Sequence, residues 1–111
     1  MRKFGVRINL CVEATEAYSS WFEGLRDSVA KRRIVSRIDR IAYHGALLED
    51  CKLIGGGLVE LRFDIGPGYR VYASLAGGTL MLLLDGGDKS SQVADIAKAR
   101  KLLKEWRMRD A

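Results

Sequence analysis

The stretch Val59-Glu60-Leu61-Arg62-Phe63-Asp64-Ile65-Gly66-Pro67-Gly68-Tyr69-Arg70-Val71-Tyr72 decides the fold. Val59, Leu61 and Phe63 alternate with Glu60, Arg62 and Asp64, the two-residue period of a strand with one apolar face. Gly66-Pro67-Gly68 interrupts the run, because proline fixes φ and glycine admits left-handed backbone. Alternation then resumes, with Tyr69, Val71 and Ala73 opposite Arg70, Tyr72 and Ser74. Strands joined by so short a turn are antiparallel. Leu58 to Asp64 and Tyr69 to Leu75 therefore read as a hairpin, whose register can bring Arg62 near Arg70.

Downstream, Gly77-Gly78 makes a second hairpin turn, and Thr79 to Asp85 is apolar enough to be a central strand covered on both faces. Ser90 or Ser91 can cap a final helix with Val93, Ile96, Ala99, Leu103 and Trp106 on one face and Lys98, Lys101, Lys104 and Arg107 on the other. Upstream, Cys51 to Ile54 is a short extended piece ending at Gly55-Gly56-Gly57, which reads as a tight turn; the lysine and helix of a nucleotide loop do not follow it. Asp27 or Ser28 caps a helix running to about His44 and ended by Gly45, with Ile34, Val35, Ile38, Ile41 and Ala42 as its stripe. Thr15 caps an earlier helix to Leu25 carrying Tyr18, Trp21, Phe22 and Leu25, and Arg7 to Glu13 alternates as a first strand near a sheet edge. The two helices have a short link and should form a hairpin. The expected class is α+β: an N-terminal strand, a helical hairpin, a small curved antiparallel sheet and a C-terminal helix.

A chain of 111 residues, 48% hydrophobic and 30% charged, has the size and mix of one domain. Its longest apolar run, Leu80 to Leu84, is far short of the roughly 20 residues of a membrane span, and no secretory apolar core follows Met1-Arg2-Lys3. A cytoplasmic location is expected. Cys11 and Cys51 stand singly, which suits small buried side chains, and His44 is the sole histidine. That inventory argues against a zinc site, a redox pair or a Cys-His dyad, so no metal or cofactor is called for. His44 falls at a helix end, where a dipole contact or exposure suits it.

The net charge of +5 is unevenly spread: nine Lys/Arg against five Asp/Glu over residues 1–44, four against seven over 45–97, and six against two over 98–111. Positive charge is thus carried by the helices, as in a protein that meets phosphate or an acidic partner. Arg62, Arg70 and Lys89, on or beside the sheet, make a surface suited to a phosphodiester. Cleavage of RNA by its own 2′-hydroxyl needs the nucleophile positioned, the phosphorane charge stabilised and the 5′-oxygen stabilised as it leaves. Guanidinium forks serve the second need and a lysine the third. The alternative is that each cation is held in a surface ion pair or is solvated. Tyr72, on the face of Arg70, could stack on a base.

The ELR…GPGYRVY run of residues 60–72, followed by the GGDKSSQ run of residues 86–92 and Asp95-Ile96, closely resembles the HigB-like "addiction module killer protein" branch of the RelE/ParE toxin superfamily. The resemblance covers nearly the whole chain. It implies the toxin of a type II toxin-antitoxin pair that cuts mRNA in the ribosomal A site without metal. It also implies restraint by a cognate antitoxin, a HigA-like helix-turn-helix protein. Arg70 matches the arginine of the family's GYR motif, Arg62 a basic position on the preceding strand, and Lys89 the basic position after the central strand. On that reading Arg32, Arg33, Arg37, Lys98 and Lys101 contact RNA or ribosome. Glu60 stands where RelE-like members have a lysine, and Asp95 about where they have a tyrosine. A gyrase-directed, ParE-like toxin and a non-toxic basic binding module are the competing readings.

Overall fold

The computed structural model describes residues 9–47 and 50–109. Along the chain lie β1 (Cys11–Ala14), α1 (Glu16–Glu23), α2 (Ser28–His44), β2 (Cys51–Leu53), β3 (Val59–Phe63), β4 (Tyr69–Ala76), β5 (Leu80–Gly87), a 3₁₀ turn (Lys89–Ser91) and α3 (Gln92–Arg109). The first strand starts later than its alternation suggests; the expected segment before Asn9 lies outside the described residues.

Local chemistry sets the helix ends. Thr15 accepts from the backbone N–H of Tyr18 and Asp27 from that of Ala30, satisfying donors that no helical carbonyl reaches. Gly45 closes α2 in the left-handed region, at φ 70°.

The sheet runs β1-β5-β4-β3-β2. The last four strands form an antiparallel meander, and β1 adds to β5 in parallel. The centre is β4, not β5 as the apolar run suggests, because the parallel β1 takes the edge beyond β5. Opposite faces of the sheet carry separate cores. Val59, Leu61, Phe63, Val71, Ala73, Met81 and Leu83 pack with Tyr18, Ile34, Ile38 and Ile41 of α1 and α2. Leu58, Tyr72, Leu82 and Leu84 pack with Ala99 and Leu103 of α3. Trp21 and Trp106 are half-buried against the first and second core respectively.

Two stripe positions are not core. Val35 is 44% and Val93 86% exposed, since each lies at the margin of its helix stripe. Cys11 is exposed on the open edge of β1, contrary to the expected burial, and both cysteines are free.

The β4–β5 ladder slips between Tyr72 and Ala73: Ala73 pairs with Leu83 and Tyr72 with Asp85, leaving Leu84 unmatched. This bulge puts both Leu84 and Asp85 on the α3 face and curves the strand. Thr15 grips the same spot, its backbone N–H donating to the Leu83 carbonyl (2.9 Å) and its hydroxyl to the Leu84 carbonyl (2.6 Å).

Candidate functional site

The Gly-Pro-Gly turn places Phe63 opposite Tyr69 and therefore Arg62 directly opposite Arg70, with Gly87 of β5 on the far side of Arg70. All three lie on the α3 face, at the end of the sheet where α3 begins. The Arg70 side chain is 13% exposed, and its Nη1 donates to the Gly68 carbonyl at 3.1 Å. Arg62 is more open, at 39%, and pairs with Asp50 at 3.0 Å.

Lys89 comes from the 3₁₀ turn and is exposed. Gly68, whose φ of 80° suits glycine, lies between it and Arg70: a Cβ there would sit 3.4 Å from both Arg70 Nη1 and Lys89 Cβ. Asp88 fixes the turn, its carboxylate accepting from the Ser90 N–H at 2.8 Å while its own N–H donates to the Ser91 hydroxyl. The Ser90 hydroxyl bond holds the Asp88 carboxyl below its ordinary range. Arg62, Arg70 and Lys89 are thus brought to one end of the sheet.

Beneath these cations runs a polar seam that the sequence reading did not assemble. Glu60 is 1% and Asp85 4% exposed. The Gln92 side-chain amide donates to Glu60 Oε2 at 2.7 Å, and Glu60 Oε1 lies 4.0 Å from Arg70 Nε. The Ser91 hydroxyl donates to the Asp95 carboxylate. That carboxylate presses against Gly87, where any Cβ would overlap it. Burial pushes the Asp85 carboxyl up, and burial with the nearby Glu60 and Asp95 charges pushes the Tyr72 hydroxyl up. The signal for the seam was a glutamate on the polar side of β3 and a Gly-Gly pair ending β5; neither says that a helix closes over them.

A groove of about 640 Å³ opens between α2 and the end of β3. Arg32, Arg33, Arg40 and Arg62 line it, against Asp50 and Asp64. Arg32 and Arg33 are exposed, as are Lys98 and Lys101 along α3. Arg37 and Tyr72 differ from their expected roles. Arg37 is 6% exposed, donates to the backbone carbonyls of Arg62 and Asp50, and lies 4.8 Å over the Phe63 ring. It ties α2 to the strand ends. Tyr72 is fully buried under α3, so its ring offers no face to a base. His44 is exposed in the last turn of α2, edge-on to Tyr43.

The arrangement can bind an oxyanion: two arginines oppose each other on adjacent strands and an exposed lysine follows in the neighbouring turn, with Asp50 beside Arg62 and Glu60 behind Arg70. No group of three or more His, Cys, Asp or Glu suited to a metal occurs among the described residues, nor does a helix there have the length and apolarity to cross a membrane.

No family model matches the sequence. A Haemophilus influenzae protein described as uncharacterized is 40% identical over 94 residues, covering 85% of this chain and 93% of its own. The structure of a substituted Escherichia coli toxin RelE in its free state superposes with a TM-score of 0.67, covering 84% of this chain and 96% of that one at 16% identity. The chain therefore belongs to the family of the Haemophilus influenzae protein and has the fold of the toxin RelE.

Proposed function

We propose that this protein is the toxin of a type II toxin-antitoxin pair, of the HigB-like branch. One domain spanning residues 1–111 acts in the cytoplasm as a ribosome-dependent mRNA endoribonuclease. The observation that carries the reading is the convergence of Arg62, Arg70 and Lys89 at the end of the sheet. The shared fold with RelE and the motif pair of the sequence support it.

In the proposed reaction the 2′-oxygen attacks the adjacent phosphorus and the bond to the 5′-oxygen breaks, leaving a cyclic phosphate and a 5′-hydroxyl. Arg62 and Arg70 stabilise the charge on the phosphorane, and Lys89 donates a proton to the departing 5′-oxygen. This chemistry requires no metal. Arg32, Arg33, Lys98 and Lys101 hold RNA or ribosome, and the ribosome contributes the base and positioning that the chain lacks. The partner that silences the toxin is a HigA-like antitoxin.

Inducible expression of wild type and Arg70→Ala in bacteria tests the proposal, with RNA 5′ ends mapped within minutes. The expected outcome is growth arrest with in-frame cuts by wild type and neither with Arg70→Ala. Arrest with intact mRNA would instead favour a gyrase-type target, and absence of arrest a binding module.

A further inference from the structure

Arg70 is unevenly held. Its Nη1 has the Gly68 carbonyl, whereas its Nε is buried without a hydrogen-bond partner. The Tyr72 hydroxyl is likewise buried without one. An unpaired buried donor is destabilising, so two in one place call for an acceptor. Glu60 lies between them: its Oε1 is 4.0 Å from Arg70 Nε, and its charge acts on the Tyr72 hydroxyl. Its other oxygen is fixed at 2.7 Å by Gln92, the first residue of α3.

We infer that Glu60 is the positioning residue of Arg70: anchored by Gln92, it accepts the Nε–H as the guanidinium swings inward onto a bound phosphodiester. The movement needed is about 1 Å, the difference between 4.0 Å and an ordinary charge-assisted hydrogen bond. It aligns the Nη edge of Arg70 with the ligand, and apo sites commonly tighten in this manner when occupied. Glu60 is not placed to take the proton of the 2′-hydroxyl. It is 1% exposed, and its oxygens face Gln92, Arg70 and Tyr72 rather than the open sheet end. A carboxylate replacing a basic side chain at this strand position thus acts on the cation beside it rather than on RNA. The α3 start matters for the same reason, because Gln92 reaches Glu60 only from there.

This inference rests on the proposed ribonuclease reading for its catalytic consequence, so the test has two arms. In the first, the Arg70 Nε–Hε signal is followed by NMR in the free protein and with a short non-cleavable RNA analogue carrying a 2′-methoxy group. In wild type and Glu60→Gln the signal should become protected when the analogue binds; in Glu60→Ala and Gln92→Ala it should stay unprotected with the analogue bound. An Arg70 signal equally protected in Glu60→Ala overturns the inference.

In the second, ribosome-dependent cleavage is measured for single and double variants. Glu60→Ala should lower kcat by about 10- to 100-fold with KM little changed, Glu60→Gln should restore most of it, and Glu60→Ala should have little further effect in an Arg70→Lys background, which keeps a cation for residual cleavage but has no Nε–H for Glu60 to hold. An equal loss in that background, or Glu60→Gln as inactive as Glu60→Ala, means that Glu60 acts independently and refutes the positioning role. Should wild type cleave nothing, the ribonuclease reading falls, and the NMR arm still decides whether Glu60 orders Arg70.

Discussion

Single residues here are decided by what lies across from them. Alternation along β3 and β4 put Arg62 and Arg70 on neighbouring strands of a hairpin, because a strand period and a turn are both local, and the register that opposes them came with the structure. It placed Tyr72 on the right face but left it available to a base, since nothing in β4 announces the helix that covers it. Arg37 was likewise read as one of several surface cations. Only the carbonyls of Asp50, just before β2, and Arg62, near the end of β3, make it a buried anchor. Asp85 carries a testable consequence. Burial raises its native carboxyl above the ordinary value, while nearby Lys98 lowers it and Asp95 raises it to lesser degrees. The folded chain therefore holds that proton more tightly than the unfolded chain, and stability falls as pH rises from the ordinary carboxylate range, about 4, through the raised native value. Asp85→Asn should remove this loss, raising the urea midpoint relative to wild type more at pH 7 than at pH 4. A midpoint difference independent of pH would contradict the assignment.

Elements were legible wherever their ends carry their own chemistry. Thr15, Asp27 and Gly45 mark helix ends that short-range hydrogen bonds enforce, and all three cap as expected. The bulge at Leu84 was not legible, because an unbroken apolar run looks the same with or without a one-residue slip. Thr15 joins these two features, capping α1 while its hydroxyl and N–H reach the carbonyls at the bulge. Thr15→Ala should therefore cost about 1–2 kcal/mol in urea unfolding, the upper part of the range for a lost cap. Thr15→Ser, which keeps the hydroxyl, should retain most of that stability. Gly86 belongs to the same junction: a Cβ there would overlap the Trp21 ring, so the glycine is what allows α1 to close on β5.

Across the whole molecule, charge and covering decide what the surface can meet. The exposed arginines of α2 line a groove that includes Arg62, so an RNA seated at the sheet end would have positive charge to follow. Arg32→Glu with Arg33→Glu should weaken ribosome binding most at low salt and flatten its dependence on log salt by about 1–2, with thermal stability little changed; an unaltered slope would exclude those residues from the interface. By itself the sequence determined the α+β class, the order of elements, the caps of the first two helices and the hairpin that carries Arg62 and Arg70. Each follows from periodicity or turn chemistry acting over a few residues. The last helix, by contrast, begins from a 3₁₀ turn capped by Asp88 rather than from Ser90 or Ser91. Tertiary structure alone decided that α3 covers the face opposite α1 and α2. It also decided that β4 is central and that Glu60, Gln92 and Arg70 meet beneath the cations. A strand's alternation specifies two faces but not which helix will lie on either, and burial, with the hydrogen bonds it demands, exists only once that choice has been made.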